Sequence, residues 1–230
     1  MKKFSLGDRM KEFYEKPQQT RLQRRTYTII RIDGKAFHTY TRGLKKPFDE
    51  DFVHHMNETA VFLCKNIQGA KVAYVQSDEI SIVLTDFDKI STSAWFGGNV
   101  QKIVSISSSL ATARFNQLRP GKLAMFDSRV FTMSTLNEVA NYLIWRQQDA
   151  VRNSIQSLAQ SMFSHKELEN KNCNKLQDMC FNSGINWNDI DPSLKRGRVA
   201  INTDDGWVAG EAPNFSFEIV NQIIPNISEV

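Results

Sequence analysis

Two aspartates stand where their chemistry would matter most. Asp33 follows the run Thr28-Ile29-Ile30-Arg31-Ile32 and opens Asp33-Gly34-Lys35-Ala36-Phe37-His38, while Asp78 sits inside Tyr74-Val75-Gln76-Ser77-Asp78-Glu79. Carboxylates brought together from separate segments repel unless one takes up a proton or cations sit between them, so a divalent metal is their natural partner. Magnesium suits oxygen ligands best. A carboxylate pair able to hold two such ions predicts phosphoryl transfer on nucleotide substrates. Gly34 permits close approach of the backbone, so its carbonyl would add a ligand while the next amides turn toward phosphate oxygens. Asp-Gly is also a common turn dipeptide, and Ser-Asp-Glu would serve as a plain hairpin tip. The joint placement favours the metal pair: Asp33-Gly34 leads into a basic stretch reaching Lys45-Lys46-Pro47, whose lysines would neutralise a triphosphate, rather than into a pairing strand.

Periodicity supplies the secondary structure around these residues. Residues 26–33 are rich in β-branched and aromatic side chains and predict a buried strand; Asp49 caps a helix through Phe52, Met56, Val61 and Leu63 that Gly69 stops. Strands at 71–76 and 80–84 flank Ser77-Asp78-Glu79 as a tight hairpin. A helix over 99–118 ends at Arg119-Pro120-Gly121, and 124–133 predicts a fourth strand. The order β-α-β-β-α-β is the ferredoxin-like α+β arrangement of polymerase palms and RNA-recognition modules. In that topology the first and third strands are antiparallel neighbours, which sets Asp33 beside Asp78.

A helix over about 6–16 precedes this core. A long helix over 135–163 comes after it, then a shorter one over 172–183 stopped by Gly184, and a β-ribbon of 198–202 and 206–210. The expected organisation is an N-terminal helix and palm core over 1–134, and a helical extension with ribbon over 135–230 packed on the palm as one unit. On the long helix, Arg146, Asp149 and Asn153 share one face at spacings of three and four.

Composition is that of an ordinary globular chain: 230 residues, 41% apolar and 23% charged. No run approaches the roughly 20 apolar residues of a membrane helix, and the start has no secretory pattern, so no membrane association and a cytoplasmic location are expected. Cys64, Cys173 and Cys180 form no Cys-x-x-Cys pair, which suggests neither a disulfide framework nor a zinc knuckle. Residues 1–25 carry eight basic against three acidic side chains, a net +5 in a chain of net +4. That segment would contact phosphates or remain a solvated helix.

Five pieces in register, Arg31-Ile32-Asp33-Gly34-Lys35-Ala36-Phe37-His38, Lys46-Pro47, Gln76-Ser77-Asp78-Glu79, Phe126-Asp127-Ser128-Arg129 and Trp145-Arg146-Gln147-x-Asp149, make the chain resemble the tRNA-His guanylyltransferase superfamily from about residue 6 to about residue 200. The resemblance implies 3′-to-5′ addition of nucleotides to the 5′ end of tRNA after activation with ATP or GTP, on a palm shared with ordinary polymerases. It implies that Asp33 and Asp78 are the catalytic metal carboxylates for two Mg2+ ions and that Gly34 is a carbonyl ligand. Gly34, Lys35, Ala36, Phe37 and His38 would form the triphosphate loop, Ser77 and Asp78 would contact the nucleotide, and Lys46 would lie near the phosphates. Glu79, Arg129, Arg146, Asp149 and Asn153 are further nucleotide or tRNA contacts by the same likeness, which also implies a homotetramer. Members that add one untemplated G to tRNA-His carry His-Ile-Asn-Asn after the Trp-Arg-Gln-x-Asp match, where this chain has Val151-Arg152-Asn153-Ser154. That departure favours the guanylyltransferase-like members, which repair truncated 5′ ends by templated pairing.

Rival readings of the same residues remain open. The face of Arg146, Asp149 and Asn153 would pair internally with Trp145 buried. Lys195-Arg196-Gly197-Arg198 would be a hydrated basic loop or an RNA-backbone contact. A non-catalytic RNA-binding module would share the topology, but Ile80-Ser81-Ile82-Val83-Leu84 lacks the aromatic platform such modules use. A palm-fold nucleotide cyclase would also use two metals.

Overall fold

The computed structural model describes residues 4–224. Its elements run α1 Leu6–Met10, β1 Tyr27–Gly34, α2 Phe37–Tyr40, α3 Glu50–Asn66, β2 Ala70–Gln76, β3 Glu79–Leu84, α4 Val100–Leu118, β4 Phe126–Met133, α5 Leu136–Met162, α6 His165–Leu168, α7 Cys173–Asn182, α8 Pro192–Arg196, β5 Arg198–Thr203, β6 Gly206–Glu211 and α9 Phe217–Ile223. One sheet carries all the strands in the order β4-β1-β3-β2-β5-β6, antiparallel at every pairing. The first four are the expected ferredoxin-like core. The predicted ribbon is a continuation of that sheet, because β5 pairs with the β2 edge from Val72↔Ile201 to Val75↔Arg198.

The central strands are nearly all apolar because both faces of the sheet are covered. Ile30, Ile32, Ala73, Val75, Ile80 and Ile82 pack under α3 and α4 with Met56, Leu63, Ile103 and Phe115. Tyr27, Ile29, Val72, Tyr74, Val83 and Val199 face the opposite way, against Val139 and Leu143 of α5 and Val220 of α9. Each fully buried isoleucine contributes about 1.5–3 kcal/mol relative to an exposed one. The far half of α5 packs separately on α7 through Ile155, Leu158, Ala159, Leu176 and Cys180.

Side-chain caps set the starts of the long helices, that of Asp49 as expected and those of Asn99 and Thr135 besides. Asp49 accepts the Phe52 amide at 2.8 Å, Asn99 that of Lys102 at 3.1 Å and Thr135 that of Glu138 at 3.3 Å, each stabilising by about 1 kcal/mol. The N-terminal segment departs from a single regular helix: α1 is five residues long, irregular helical turns carry it on to Gln18, and none of its side chains is buried. Of the basic entry residues, Arg21 donates to the Gly97 carbonyl at 2.9 Å and Arg24 pairs with Asp86, so both serve the fold. Lys2 and Lys3 lie outside the described residues.

Candidate active site

Asp33 is the penultimate residue of β1, opposite Glu79 on one side and Asp127 on the other. Asp78 is the second residue of a two-residue hairpin turn whose first, Ser77, takes φ of 46°. The Gly34 amide donates to the Asp78 carbonyl at 3.2 Å, which hooks the hairpin tip to the end of β1 and brings the two carboxylates into one cleft of about 430 Å3. Burial pushes the Asp78 carboxyl up to about 6, and the charge of Asp33 adds to the rise. Among the described residues Asp78 enters no ion pair, and Asp33 meets only the tip of Arg129, at 3.8 Å. Two acids in one cleft, one of them desolvated and in no ion pair among the described residues, fit a divalent metal; their donor set is all oxygen, which suits Mg2+.

Gly34 is required for a reason beyond access to a ligand. A Cβ there would lie 2.3 Å from the Phe37 ring, which folds back over the glycine. Phe37 itself is buried, stacked on Tyr40 at 4.7 Å and packed against Phe126 at 5.0 Å, so its ring belongs to the core and only its amide is placed for a substrate. The Lys35 amide donates to the Met125 carbonyl at 2.8 Å, and Ala36 takes a left-handed conformation, φ 56°. The amides of Ala36, Phe37 and His38 find no partner among the described residues, leaving three N–H groups in the loop that follows Asp33. The side chains of Lys35 and His38 are exposed.

Lys46 lines a second cavity of about 180 Å3 together with Lys45, Pro47, Ser77, Asn153 and Arg198. Gln76, Ser77 and Asn153 line both cavities, so carboxylates and lysines share one continuous cleft. Asn153 makes no hydrogen bond among the described residues and faces that cleft with its amide free.

The other predicted contacts are turned largely toward one another. Arg146 holds Glu79 with two hydrogen bonds of 2.8 and 2.7 Å and reaches Asp149 at 2.9 Å; Asp149 also pairs with Arg152. Glu79 and Arg146 are both buried. The internal-pairing reading therefore describes Arg146 and Asp149 but not Asn153, and its other half is corrected: Trp145 is 51% exposed, with the Arg146 guanidinium 4.5 Å from its ring centre. Gln147 of the same motif is structural, accepting the Phe215 amide at 2.9 Å and donating to the Pro213 carbonyl at 2.8 Å. Arg129, half-exposed, sits 3.6 Å from Asp127 as well as near Asp33.

Two arginines lie in the quoted motifs, Arg198 read only as part of a surface loop and Arg31 given no role. Arg198, only 4% exposed, donates to Asn57 at 3.0 Å and leaves Nη2 without a partner; burial lowers its guanidinium to about 10. Its neighbours correct the hydrated-loop reading: Lys195 is buried, donating to the Asn188 carbonyl at 2.7 Å, and Arg196 pairs with Glu211 at 2.8 Å. Arg31 lines the carboxylate cleft with its Nε unpartnered. Its place inside an apolar strand, on the same face as Asp33, was the available signal.

Comparison with known proteins places this geometry among relatives. A family model described as tRNAHis guanylyltransferase matches residues 7–134. A solved bacterial tRNA(His) guanylyltransferase-like protein in complex with ATP superimposes with a TM-score of 0.89 at 45% identity, covering 96% of this chain and 99% of that one. A second, in complex with GTP, gives 0.84 at 44% identity over 96% and 100% of the two chains. The tRNA(His) guanylyltransferase of Saccharomyces cerevisiae is 28% identical over 75% of this chain and 81% of its own length. A protein of Acanthamoeba polyphaga mimivirus is 31% identical over 84% of this chain and 76% of its own.

Proposed function

Because the chain belongs to the tRNAHis guanylyltransferase family of nucleotidyltransferases, we propose that it adds nucleotides to the 5′ end of tRNA in the 3′-to-5′ direction, restoring truncated ends by pairing with the opposite strand. The carrying observation is the Asp33–Asp78 pair, hooked together through the Gly34 amide, with Asp78 in no ion pair among the described residues and Asp33 reached only by Arg129 at 3.8 Å. In the first step an oxygen of the RNA 5′-phosphate bonds to the α-phosphorus of ATP or GTP and pyrophosphate leaves, so that the activating group is a nucleoside monophosphate. The 3′-hydroxyl oxygen of the incoming nucleoside triphosphate then forms a bond to that 5′ phosphorus, the bond to the activating group breaks, and the hydroxyl proton passes to solvent. Mg2+ bound by Asp33 and Asp78, two ions in this reading, would ease loss of that proton and neutralise charge on the leaving group.

The chain's own residues supply position. The free amides of Ala36, Phe37 and His38, with Lys35 and Lys46, hold the triphosphate by charge-assisted hydrogen bonds. Ser77 and Asn153, which line both cavities, fix the nucleoside between phosphates and carboxylates. ATP and GTP, present in the two solved bacterial relatives, are the nucleotides this cleft would take. The assembly is proposed as a homotetramer.

The test incubates the protein with 5′-truncated, 5′-monophosphorylated tRNA, ATP, labelled GTP and Mg2+. Label joined to the 5′ end only opposite a complementary base supports templated repair. Addition regardless of that base supports the second reading, single-G maturation of tRNA-His, which the names of the yeast relatives favour. No incorporation into any tRNA overturns both.

A further inference from the structure

Beyond the cleft, on the opposite side of the carboxylates from Lys46, the sheet carries an open groove of about 500 Å3 lined by Arg31, Arg129, Phe131, Tyr142 and Trp145, with Glu138 at its rim. We infer that this groove seats the 5′ end of the RNA, with Trp145 as the surface on which a terminal base stacks and Arg31 and Arg129 as phosphate contacts. The inference rests on the function proposed above and names where its macromolecular substrate lies.

The strand order decides the side. Across β4-β1-β3-β2-β5, the residues of the lysine-lined cavity stand over the β2 and β5 end, the groove stands over β1 and β4, and Asp33 and Asp78 lie between. In-line displacement sets the activating group opposite the attacking 3′ oxygen and leaves the RNA's own 5′ oxygen to one side, so the RNA must approach by a path that the nucleoside triphosphate does not fill. With the nucleoside triphosphate in the lysine-lined cavity, the groove is the remaining approach.

Its chemistry is that of a single-stranded nucleic-acid site: aromatic surface beside positive charge. Trp145 lines both the carboxylate cleft and the groove. Arg146 covers its inner face and Tyr142 packs edge-on at 5.9 Å, which holds the ring still while half the residue stays exposed. Arg31 lines the groove and enters no ion pair among the described residues, while Arg129 touches its two aspartates only at 3.6 and 3.8 Å. Both guanidiniums retain capacity for phosphate oxygens.

The experiment titrates the full-length protein and its Trp145→Ala, Trp145→Phe and Arg129→Ala variants with 5′-monophosphorylated tRNA lacking its first nucleotide, and separately with ATP and Mg2+. Alanine at 145 should raise the RNA Kd at least about 5-fold, in line with loss of one stacked base, while phenylalanine recovers most of the affinity. Arg129→Ala should lower the slope of log Kd against log salt by about 1. ATP affinity should stay within about twofold for Trp145→Ala, since a local stacking contact is being removed, while Arg129→Ala, which also releases Asp33, is read by the salt slope of RNA binding alone. Wild-type RNA affinity in both Trp145→Ala and Arg129→Ala overturns the groove. A change in sedimentation of Trp145→Ala without a change in RNA affinity also overturns it, making the face an interface between copies. RNA binding that depends on Trp145 in a protein that transfers no nucleotide would overturn the proposed reaction and leave the groove standing.

Discussion

Arg146 takes both carboxylate oxygens of Glu79, at 2.8 and 2.7 Å, and so occupies the third acid of the Asp33-Asp78-Glu79 neighbourhood at the wall of the cleft. Glu79 stands directly opposite Asp33 in the ladder. Left ionised and unpaired it would compete for the metal; buried against Arg146 it fixes α5 to the hairpin instead.

Breaking that pair from one side strands a buried charge. Glu79→Ala should destabilise the fold by about 3–5 kcal/mol in urea unfolding, whereas Glu79→Leu combined with Arg146→Met should recover most of the loss. A double variant no more stable than Glu79→Ala would show that the pair's worth lies in geometry the aliphatic side chains do not reproduce.

Replacing Asp33 or Asp78 by asparagine should lower nucleotide addition by at least about a thousandfold, as expected when a metal carboxylate is lost. The two variants should differ in stability. Asp78→Asn relieves a buried, repelled charge and should raise the Tm of the metal-free protein at pH 8, which calorimetry reads directly.

The raised Asp78 carboxyl also sets a pH dependence. Its value moves from 3.8 to about 6 on folding, so the folded protein binds the extra proton between those limits. Metal-free stability should therefore be greatest below about pH 4 as far as this group is concerned, and its contribution is lost as pH rises through 6. Mg2+ must displace that proton, so its affinity should fall as pH drops below 6. Isothermal titration at pH 5 and 8 checks this, and Asp78→Asn should flatten the stability trend.

Gly34→Ala should fail through packing. The new methyl group would meet the Phe37 ring at 2.3 Å, displacing a ring that the aromatic core holds in place. A cost of about 1–3 kcal/mol and a disordered 34–38 loop are expected. Gly34→Ala with Phe37→Leu should regain stability, and the KM for nucleotide should report whether the loop regains its path.

Lys46→Ala should leave the fold unchanged, because its side chain is exposed and enters no ion pair among the described residues. The KM for the nucleoside triphosphate should rise about 10- to 100-fold, the loss of one hydrogen bond between charged groups. Lys46→Arg should retain part of the affinity.

Much of the palm was legible from residues alone. Its four strands and two long helices lie where periodicity places them, with Asp49 signalling its helix locally; the short helix Phe37–Tyr40 was not foreseen, and the N-terminal segment is not one regular helix. The meeting of Asp33 with Asp78 followed from topology. What escaped depended on contacts between distant segments. Trp145 and Arg146 are neighbours in sequence, yet one is exposed and the other buried, a difference decided by Glu79 on another strand. The ribbon gave no local sign that it would continue the sheet, because pairing β5 to β2 joins residues more than a hundred positions apart. Lys195 and Arg198 read as surface charge because nothing nearby in sequence reveals Asn188 or Asn57 as their partners.

The hook from Gly34 to Asp78 is made of main-chain atoms alone. The spacing of the acids is thereby inherited from the ladder and not from whichever aliphatic side chains happen to fill the interior. Such an architecture lets the interior drift through long divergence while its reactive centre keeps its dimensions, as relatives sharing between a quarter and a half of their residues with this chain would require.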